Sequence, residues 1–239
     1  MMNTKRILGL IMFFCTTIAI SQSNIKYSAK IGLNIASLSG EYPSELSHKS
    51  KTGINIGGVA EYKLKEKIYL QGEFLISTQG GISEYRVNYY NPQMGNYYES
   101  QTQTLKLTYI NIPFLLKYNI VNHLTIDAGP QLGFILSGKN VLQYTDSTDP
   151  SNNETIELNA LQDGTFTSGG VTYSYKSSIK RMDLSLNIGG TYDINDKFYV
   201  QARYNRGISN IDKNSTAGSN TSSWNLKNSV FQLSVGYKF

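Results

Sequence analysis

The amino-acid sequence predicts an all-β protein, an eight-stranded antiparallel up-and-down transmembrane β-barrel. Three observations predict it. Apolar and polar residues alternate with a period of two along eight segments, long and short connections alternate between them, and aromatic residues end the apolar faces beside the short connections. The composition agrees, since the 239 residues include 18 tyrosines and 21 glycines but 5 prolines.

The first 21 residues predict a signal peptide that is removed on export. Lys5 and Arg6 form a short positive region, and the apolar run over 7–20 is too short for a comfortable transmembrane helix. Small residues occupy the two positions that define a cleavage site between Ser21 and Gln22. A short N-terminal membrane anchor is the alternative interpretation.

The remaining chain, 22–239, predicts a single outer-membrane β-barrel domain. Because Cys15 lies in the apolar run, the mature chain has no cysteine and disulfides cannot stabilise it. Loss of Lys5 and Arg6 from the 22 basic residues leaves 20 against 17 acidic ones. That excess is too weak and too dispersed to predict nucleic-acid binding.

The first four predicted strands each pair an apolar face with a face rich in small polar residues. Their apolar faces are Tyr27, Ala29, Ile31, Leu33 and Ile35; Ile54, Ile56, Ala60 and Tyr62; Ile68, Leu70, Phe74 and Ile76; and Ile110, Ile112, Phe114, Leu116 and Tyr118. One irregularity precedes the fourth strand, where Leu105, Leu107 and Tyr109 have the opposite parity from Ile110 and Ile112. It predicts a β-bulge near Tyr109 or a strand that ends below it.

The last four predicted strands follow the same pattern. Their apolar faces are Leu124, Ile126, Ala128, Leu132 and Phe134; Met182, Leu184, Leu186, Ile188 and Tyr192; Phe198, Val200, Ala202 and Tyr204; and Phe231, Leu233, Val235, Tyr237 and Phe239. The seven connections alternate between long and short, with the long ones at 36–52, 79–104, 137–178 and 207–227 and the short ones at 63–67, 119–123 and 193–197. This alternation is typical of outer-membrane barrels with long external loops and short periplasmic turns.

The apolar face is predicted to contact lipid, although a soluble lipocalin-like barrel with an apolar interior would also alternate. The polar faces carry mostly Gly, Ser, Asn and Gln, which fit a narrow lumen better than a water-facing surface. Aromatic residues of apolar parity lie where the short turns begin, as a periplasmic girdle would. The predicted girdle is Tyr27, Tyr62, Tyr118, Tyr192, Phe198 and Tyr237.

Four segments resemble the PorT-like outer-membrane β-barrel family, whose members are similar to small OmpA-type barrels. They are 27–34, 109–118, 128–134 and 235–239, and the resemblance extends over nearly all of 22–239. It implies an outer-membrane location with membrane lipid as surroundings. It also implies that the terminal aromatic strand, ending at Phe239, resembles the signal that the barrel-insertion machinery reads.

The interior is predicted to be closed by paired charges. Eight strands leave a lumen just wide enough for side chains, where unpaired charges would be costly. The parity of the strands places Glu73 and Arg203 inward at matching heights. The whole predicted charge network is Lys30, Glu61, Glu73, Lys117, Asp127, Asp183, Arg203 and Lys238.

No catalytic residue, metal site or cofactor is predicted. His123 fits a turn, and His48 lies beside Ser44, Glu45 and Ser47 without a recognisable hydrolase motif. Two separated histidines and no mature cysteine exclude a conventional zinc cluster.

The leading functional prediction is a non-enzymatic barrel with a structural or surface-interaction role. Loops 79–104 and 137–178 are candidates for binding a surface protein or glycan, and the first contains tyrosines that suit such contacts: Tyr85, Tyr89, Tyr90, Tyr97 and Tyr98. The alternative for these tyrosines is an extended hairpin above the membrane, and Val171–Tyr175 is expected to prolong the sixth strand similarly. The alternative functions are an accessory component of a protein-secretion assembly and a barrel enzyme acting on lipid or peptide.

Overall fold

A computed structural model describes residues 25–40, 47–92, 95–213 and 225–239, so the predicted signal peptide over 1–21 lies outside the described residues. Twelve strands occur within these ranges. They are β1 (Ile25–Ser39), β2 (Ser47–Lys49), β3 (Lys51–Lys63), β4 (Ile68–Asn91), β5 (Gly95–Val121), β6 (Leu124–Asp146), β7 (Glu154–Asn159), β8 (Gly164–Ser168), β9 (Val171–Tyr175), β10 (Met182–Asp193), β11 (Phe198–Gly207) and β12 (Lys227–Lys238). In the same part of the chain, no helix is long and apolar enough to cross a membrane.

Eight of these strands close into a ring, which confirms the predicted eight-stranded antiparallel barrel. Around the ring the order is β1, β3, β4, β5, β6, β10, β11 and β12. β12 pairs with β1 to close it, with Lys238 opposite Ser28 and Lys227 opposite Ser39. Closure leaves no unpaired strand edge, as a lipid-exposed sheet requires.

The apolar faces point outward and the polar faces point inward. Ile31 and Leu33 remain 57% and 63% exposed, whereas Lys30 and Asn34, their neighbours of opposite parity on β1, are 3% and 0% exposed. A belt of exposed aliphatic side chains around a polar interior is stable in lipid and costly in water. The structure therefore agrees with a membrane barrel and not with the lipocalin-like alternative.

The strands continue well beyond the barrel on the side of the long connections. β4 has 24 residues, and it forms one continuous hairpin with β5. A transmembrane strand needs about 9–11 residues, so more than half of β4 lies outside the hydrocarbon layer. The segment 79–104 is thus mostly an extension of this hairpin and not an irregular loop.

Val171–Tyr175 does not prolong the sixth barrel strand, contrary to expectation. It forms β9, which pairs with β8 in a separate two-stranded sheet. The chain between β9 and β10 instead enters the upper lumen, where Ile179 bridges to Asp212. Two glycines with positive φ, Gly169 and Gly170, form the tight turn between β8 and β9.

A register shift occurs at the predicted position, but the extra residue belongs to the neighbouring strand. Tyr109 pairs with Ile135 and Thr108 pairs with Ser137, so Leu136 of β6 is left without a partner. β5 itself continues without changing parity. The alternative of a strand ending below Tyr109 is wrong.

Candidate functional site

Four charged side chains form one layer across the lumen: Lys30, Glu73, Asp127 and Arg203. They come from β1, β4, β6 and β11, which are every second strand of the eight-stranded ring. Alternate strands place their inward side chains at the same height, so four groups fill the cross-section. Each residue is less than 5% exposed.

The charges in this layer form a connected chain of ion pairs. Arg203 donates from both terminal nitrogens to the two oxygens of Glu73, at 2.9 and 3.0 Å, and from Nε to Asp127 Oδ1 at 3.1 Å. Lys30 Nζ lies 2.8 Å from Glu73 Oε2 and also donates to Gln201 Oε1 at 2.8 Å. Two positive and two negative groups therefore balance in a site without access to bulk water.

The remaining four residues of the predicted network lie elsewhere. Lys117 pairs with Glu61 nearer the short turns. Lys238 does not join the charge layer, because its Nζ lies 2.7 Å from Asp193 Oδ2 at the rim beside the short turns, where both side chains are about one-third exposed. The expectation for Lys238 is therefore corrected, and Asp193 is a partner that parity alone did not identify.

Asp183 also differs from the expectation, because no basic group pairs with it among the described residues. It accepts hydrogen bonds from Asn228 Nδ2 at 2.6 Å and Ser209 Oγ at 2.8 Å. Asp183 lies six residues farther up β10 than Gly189, which pairs with both Arg203 and Asp127. That separation is about 20 Å along the strand, too far for an ion pair.

An apolar cap fills the lumen above Asp183, and sequence reasoning missed it. Its buried residues come from barrel strands and from the connections between them: Leu105, Leu107, Tyr109, Ile135, Ala160, Ile179 and Ile211. The signal was present in the sequence, since Leu105, Leu107 and Tyr109 are apolar at inward parity. They are buried because the long connections fold into the barrel mouth and cover them.

Tyr199 narrows the end of the lumen that lies beside the short turns. Its ring lies against Gly236 of the adjacent strand, where an added Cβ would come within 2.0 Å of the ring. Below it lies a polar cavity of about 160 Å³ that contains the Glu61–Lys117 and Asp193–Lys238 pairs. Glycine at 236 is thus required for this aromatic residue to lie flat within the barrel.

The six predicted girdle residues all lie on the outer surface near the short turns. Tyr27, Tyr62, Tyr118, Tyr192, Phe198 and Tyr237 are all exposed. Phe198 and Tyr237 pair across β11 and β12 with their rings edge to face, 5.2 Å between centroids. Tyr237 also contacts the ring of Phe239 at 5.6 Å, and Phe239 is 83% exposed.

His48 lies on β2, which pairs with β4 and places the imidazole beside Ser83. Its Nδ1 shares a 3.1 Å hydrogen bond with Ser83 Oγ, and partial burial lowers the pKa of the imidazole. Two of its sequence neighbours, Ser44 and Glu45, lie outside the described residues. The part of the chain that the structure describes contains no group of three or more His, Cys, Asp or Glu side chains able to hold a metal ion.

The β4–β5 hairpin carries tyrosines on both of its faces. Tyr89 and Tyr97 stack with their centroids 4.9 Å apart. On the other face, the guanidinium of Arg86 lies 4.4 Å from the ring centre of Tyr98. Such contacts hold large amphipathic side chains in fixed positions at the end of a continuous hairpin.

Comparisons with known proteins agree with this architecture. A family model described as "Outer membrane protein beta-barrel domain" matches residues 20–213. No curated protein sequence matches the chain.

Among solved structures, Ail, the attachment invasion locus protein of Yersinia pestis, in complex with the heparin analogue sucrose octasulfate, is 13% identical. That match covers 90% of this chain and 99% of Ail, with a TM-score of 0.42. Neisserial surface protein A is 12% identical over 89% of this chain and 97% of its own, with a TM-score of 0.41. The outer membrane protease OmpT from Escherichia coli is 12% identical over 90% of this chain and 97% of its own, with a TM-score of 0.35. What these proteins bind or cleave does not transfer to this chain at such identities.

Proposed function

The chain belongs to the outer membrane β-barrel domain family, and from that premise we propose that it is a non-enzymatic surface-interaction protein. In this proposal the barrel anchors and orients the β4–β5 hairpin, and the tyrosines of the hairpin contact a partner outside the cell. In the same proposal, the protein is exported with its signal peptide removed between Ser21 and Gln22, and residues 22–239 form one β-barrel domain.

The observation that carries the proposal is the hairpin itself. β4 and β5 remain paired without interruption from the Thr78–Thr108 pair to the Asn91–Gly95 pair. The hairpin is therefore longer than a membrane-spanning strand needs to be. An ordered ribbon that presents exposed aromatic side chains is typical of an interaction surface. Its rigidity also lowers the entropy lost on binding.

The packing inside the barrel supports an anchoring role and not a transport role. The charge layer that includes Arg203 fills the middle of the lumen, and the apolar cap around Leu107 fills its outer end. Both regions consist of buried side chains in mutual contact. A channel would need a continuous water-filled path, which a barrel of eight strands seldom has space for.

The test compares the full chain with a variant in which 84–102 is replaced by a two-residue Asn-Gly turn. Both proteins are purified in neutral detergent, checked for heat-modifiable migration, and applied to arrays of surface proteins and glycans. We expect the full chain to bind a defined subset and the trimmed chain to lose it. A chain altered at Glu66, in the short turn at the opposite end, is the control and should bind as the full chain does.

Two results would contradict the surface-interaction role. One is that the trimmed chain retains every interaction of the full chain. The other is that the full chain binds nothing while cells lacking it show a defect in protein secretion, which would favour the secretion-assembly alternative. Hydrolysis of lipid or peptide that disappears on substitution of His48 would favour the enzyme alternative.

A further inference from the structure

A groove of about 410 Å³ lies outside the barrel, between the β4–β5 hairpin and the end of β6. Three tyrosines, one amide and two carboxylates provide most of its polar lining: Tyr85, Tyr89, Tyr144, Gln101, Glu99 and Asp146. Gln101 Nε2 donates to Tyr144 OH at 3.2 Å, which fixes one wall. No basic residue lines the groove in the described part of the chain.

Strand register explains why these side chains share one face. Tyr89 is opposite Tyr97, and two residues along, Glu99 is opposite Val87 on one side and Asp146 on the other. Directly opposed residues of antiparallel strands project to the same side of the sheet. The two carboxylates therefore lie next to each other, beside the stacked rings of Tyr89 and Tyr97.

This placement leaves an unbalanced negative charge. Like charges directly opposite each other destabilise a sheet, and no basic side chain forms an ion pair with Glu99 or Asp146 among the described residues. Hydrogen bonds from the hydroxyl and amide of Thr148 hold the pKa of Asp146 below its ordinary value. The charge of Glu99 raises the pKa of the neighbouring Tyr89.

Charged residues close by on the same hairpin are balanced, in contrast. On the opposite face, Glu84 pairs with both Lys49 and Arg86, and the Lys49 ion pair holds the pKa of Glu84 below its ordinary value. Arg86 also lies over the ring of Tyr98. On that face, the guanidinium of Arg86 therefore contacts both a carboxylate, Glu84, and a tyrosine ring, Tyr98. The groove has the carboxylates and the tyrosine rings but no cation of its own among the described residues.

We propose that the groove binds a lysine or arginine side chain of a partner polypeptide, between the tyrosine rings and the paired carboxylates of Glu99 and Asp146. The inference rests on the proposed surface-interaction function and specifies its partner chemistry. A cation gains from both neighbouring carboxylates and from the electron-rich ring faces. Its binding also relieves the repulsion between Glu99 and Asp146.

The test measures binding of a fluorescent hexa-arginine peptide to the purified full chain in neutral detergent micelles. We expect saturable binding at low ionic strength that weakens strongly at ~0.5 M salt, because exposed charges are screened. The double variant E99Q/D146N should weaken binding about tenfold, since each exposed ion pair contributes at most about fivefold. Asn at position 146 retains the acceptor for Thr148, so the local turn is kept.

The matched control is Glu157→Gln, which removes an exposed carboxylate outside the groove that already pairs with Lys139. It should leave hexa-arginine affinity unchanged, and Tyr89→Leu should weaken it severalfold. All variants are checked by heat-modifiable migration, so a loss of binding is separated from a loss of folding. Equal affinity of the wild type and E99Q/D146N, or no binding to the wild type, would overturn the inference.

Binding of maltohexaose, a neutral oligosaccharide, is measured as well. Because this ligand has no cation, its binding separates the proposed cation site from the broader surface-interaction function. If removal of 84–102 abolishes array binding while E99Q/D146N leaves it intact, the hairpin is the interaction surface and the cation site is wrong. The same conclusion follows if maltohexaose binds the wild type and the double variant equally while hexa-arginine binds neither. If neither variant changes array binding, both proposals fail together.

Discussion

Arg203 and Glu73 face each other across the full width of the barrel, on strands four positions apart in a ring of eight. Two parallel hydrogen bonds, at 2.9 and 3.0 Å, join the guanidinium to both carboxylate oxygens. Bidentate geometry of this kind is the strongest form of the pair. Because both side chains are buried, neither can turn to water if the other is removed.

Removing one member of this pair should therefore destabilise the barrel. Arg203→Ala leaves Glu73 and Asp127 with Lys30 as their sole cation in the layer, and we expect a loss of about 3–5 kcal/mol in the free energy of unfolding. Urea unfolding in detergent, followed by circular dichroism, measures it. Lys139→Ala breaks an exposed pair with Glu157 and should cost at most about 1 kcal/mol.

Removing both members should be less harmful than removing one. In the Glu73→Leu, Arg203→Leu double variant, Lys30 and Asp127 lose their ion-pair partners, but the layer stays neutral and Gln201, which hydrogen bonds to both, still links them. We expect the double variant to unfold at higher urea concentration than Arg203→Ala, because a neutral buried layer is less costly than one with an excess negative charge. Greater instability of the double variant would show that packing, and not charge balance, dominates the site.

The filled lumen should not conduct ions. Purified wild-type protein inserted into planar bilayers should carry no steady single-channel current, because the charge layer and the apolar cap leave no continuous path for water. Reproducible discrete current steps that scale with protein concentration would contradict the closed-lumen interpretation and support transport.

The terminal aromatic residue should matter more for assembly than for stability. Phe239 is 83% exposed, and its amide donates to the carbonyl oxygen of Tyr27 at 3.1 Å. Phe239→Ala should reduce the amount of heat-modifiable barrel in the membrane far more than Phe231→Ala, which removes a similar outward ring in mid-strand. Equal amounts of assembled barrel in both variants would contradict a role in insertion.

The two ends of the barrel should differ in their access to reagents outside the cell. An epitope tag at Asn152, in the short 3₁₀ helix between β6 and β7, should be detected on intact cells. A tag at Glu66, in the short turn between β3 and β4, should be detected only after the outer membrane is permeabilised. The reverse labelling would invert the orientation and move the tyrosine hairpin to the periplasm.

Export should remove the predicted signal peptide. N-terminal sequencing of protein from the outer-membrane fraction should begin at Gln22. Retention of Met1 in the membrane-inserted form would favour the N-terminal anchor instead. Cleavage at a neighbouring position would correct the processing site and leave the barrel assignment unchanged.

The barrel could be predicted from the sequence because its signal is local. Each transmembrane strand shows alternation over about ten residues, and the alternation of Ile31 and Leu33 with Lys30 and Asn34 needs no knowledge of distant residues. The full lengths of β4 and β5 could not be predicted from this alternation. Beyond the membrane, β4 and β5 alternate less clearly because both of their faces contact water.

The upper lumen could not be predicted because its partners are far apart in sequence. Asn228 donates to Tyr109, 119 positions earlier, and also to Asp183. Parity indicated that Asp183 points inward but not which layer it reaches, since height depends on register between strands. The inward run ending at Tyr109 was visible, yet its meaning depended on how Ala160 and Ile211 fold into the barrel mouth.

The alternate-strand charge layer also has a consequence for how the barrel assembles. A slip of one residue in β1, β4, β6 or β11 would turn its charged side chain from the lumen to the lipid. For Lys30 or Arg203 near the middle of the bilayer, that exposure costs about 2–4 kcal/mol, and the charges left inside would lose a partner as well. The layer therefore favours the native strand register. A shift in any of these four strands destabilises the barrel, and the native pairing is the arrangement in which all four charges are neutralised.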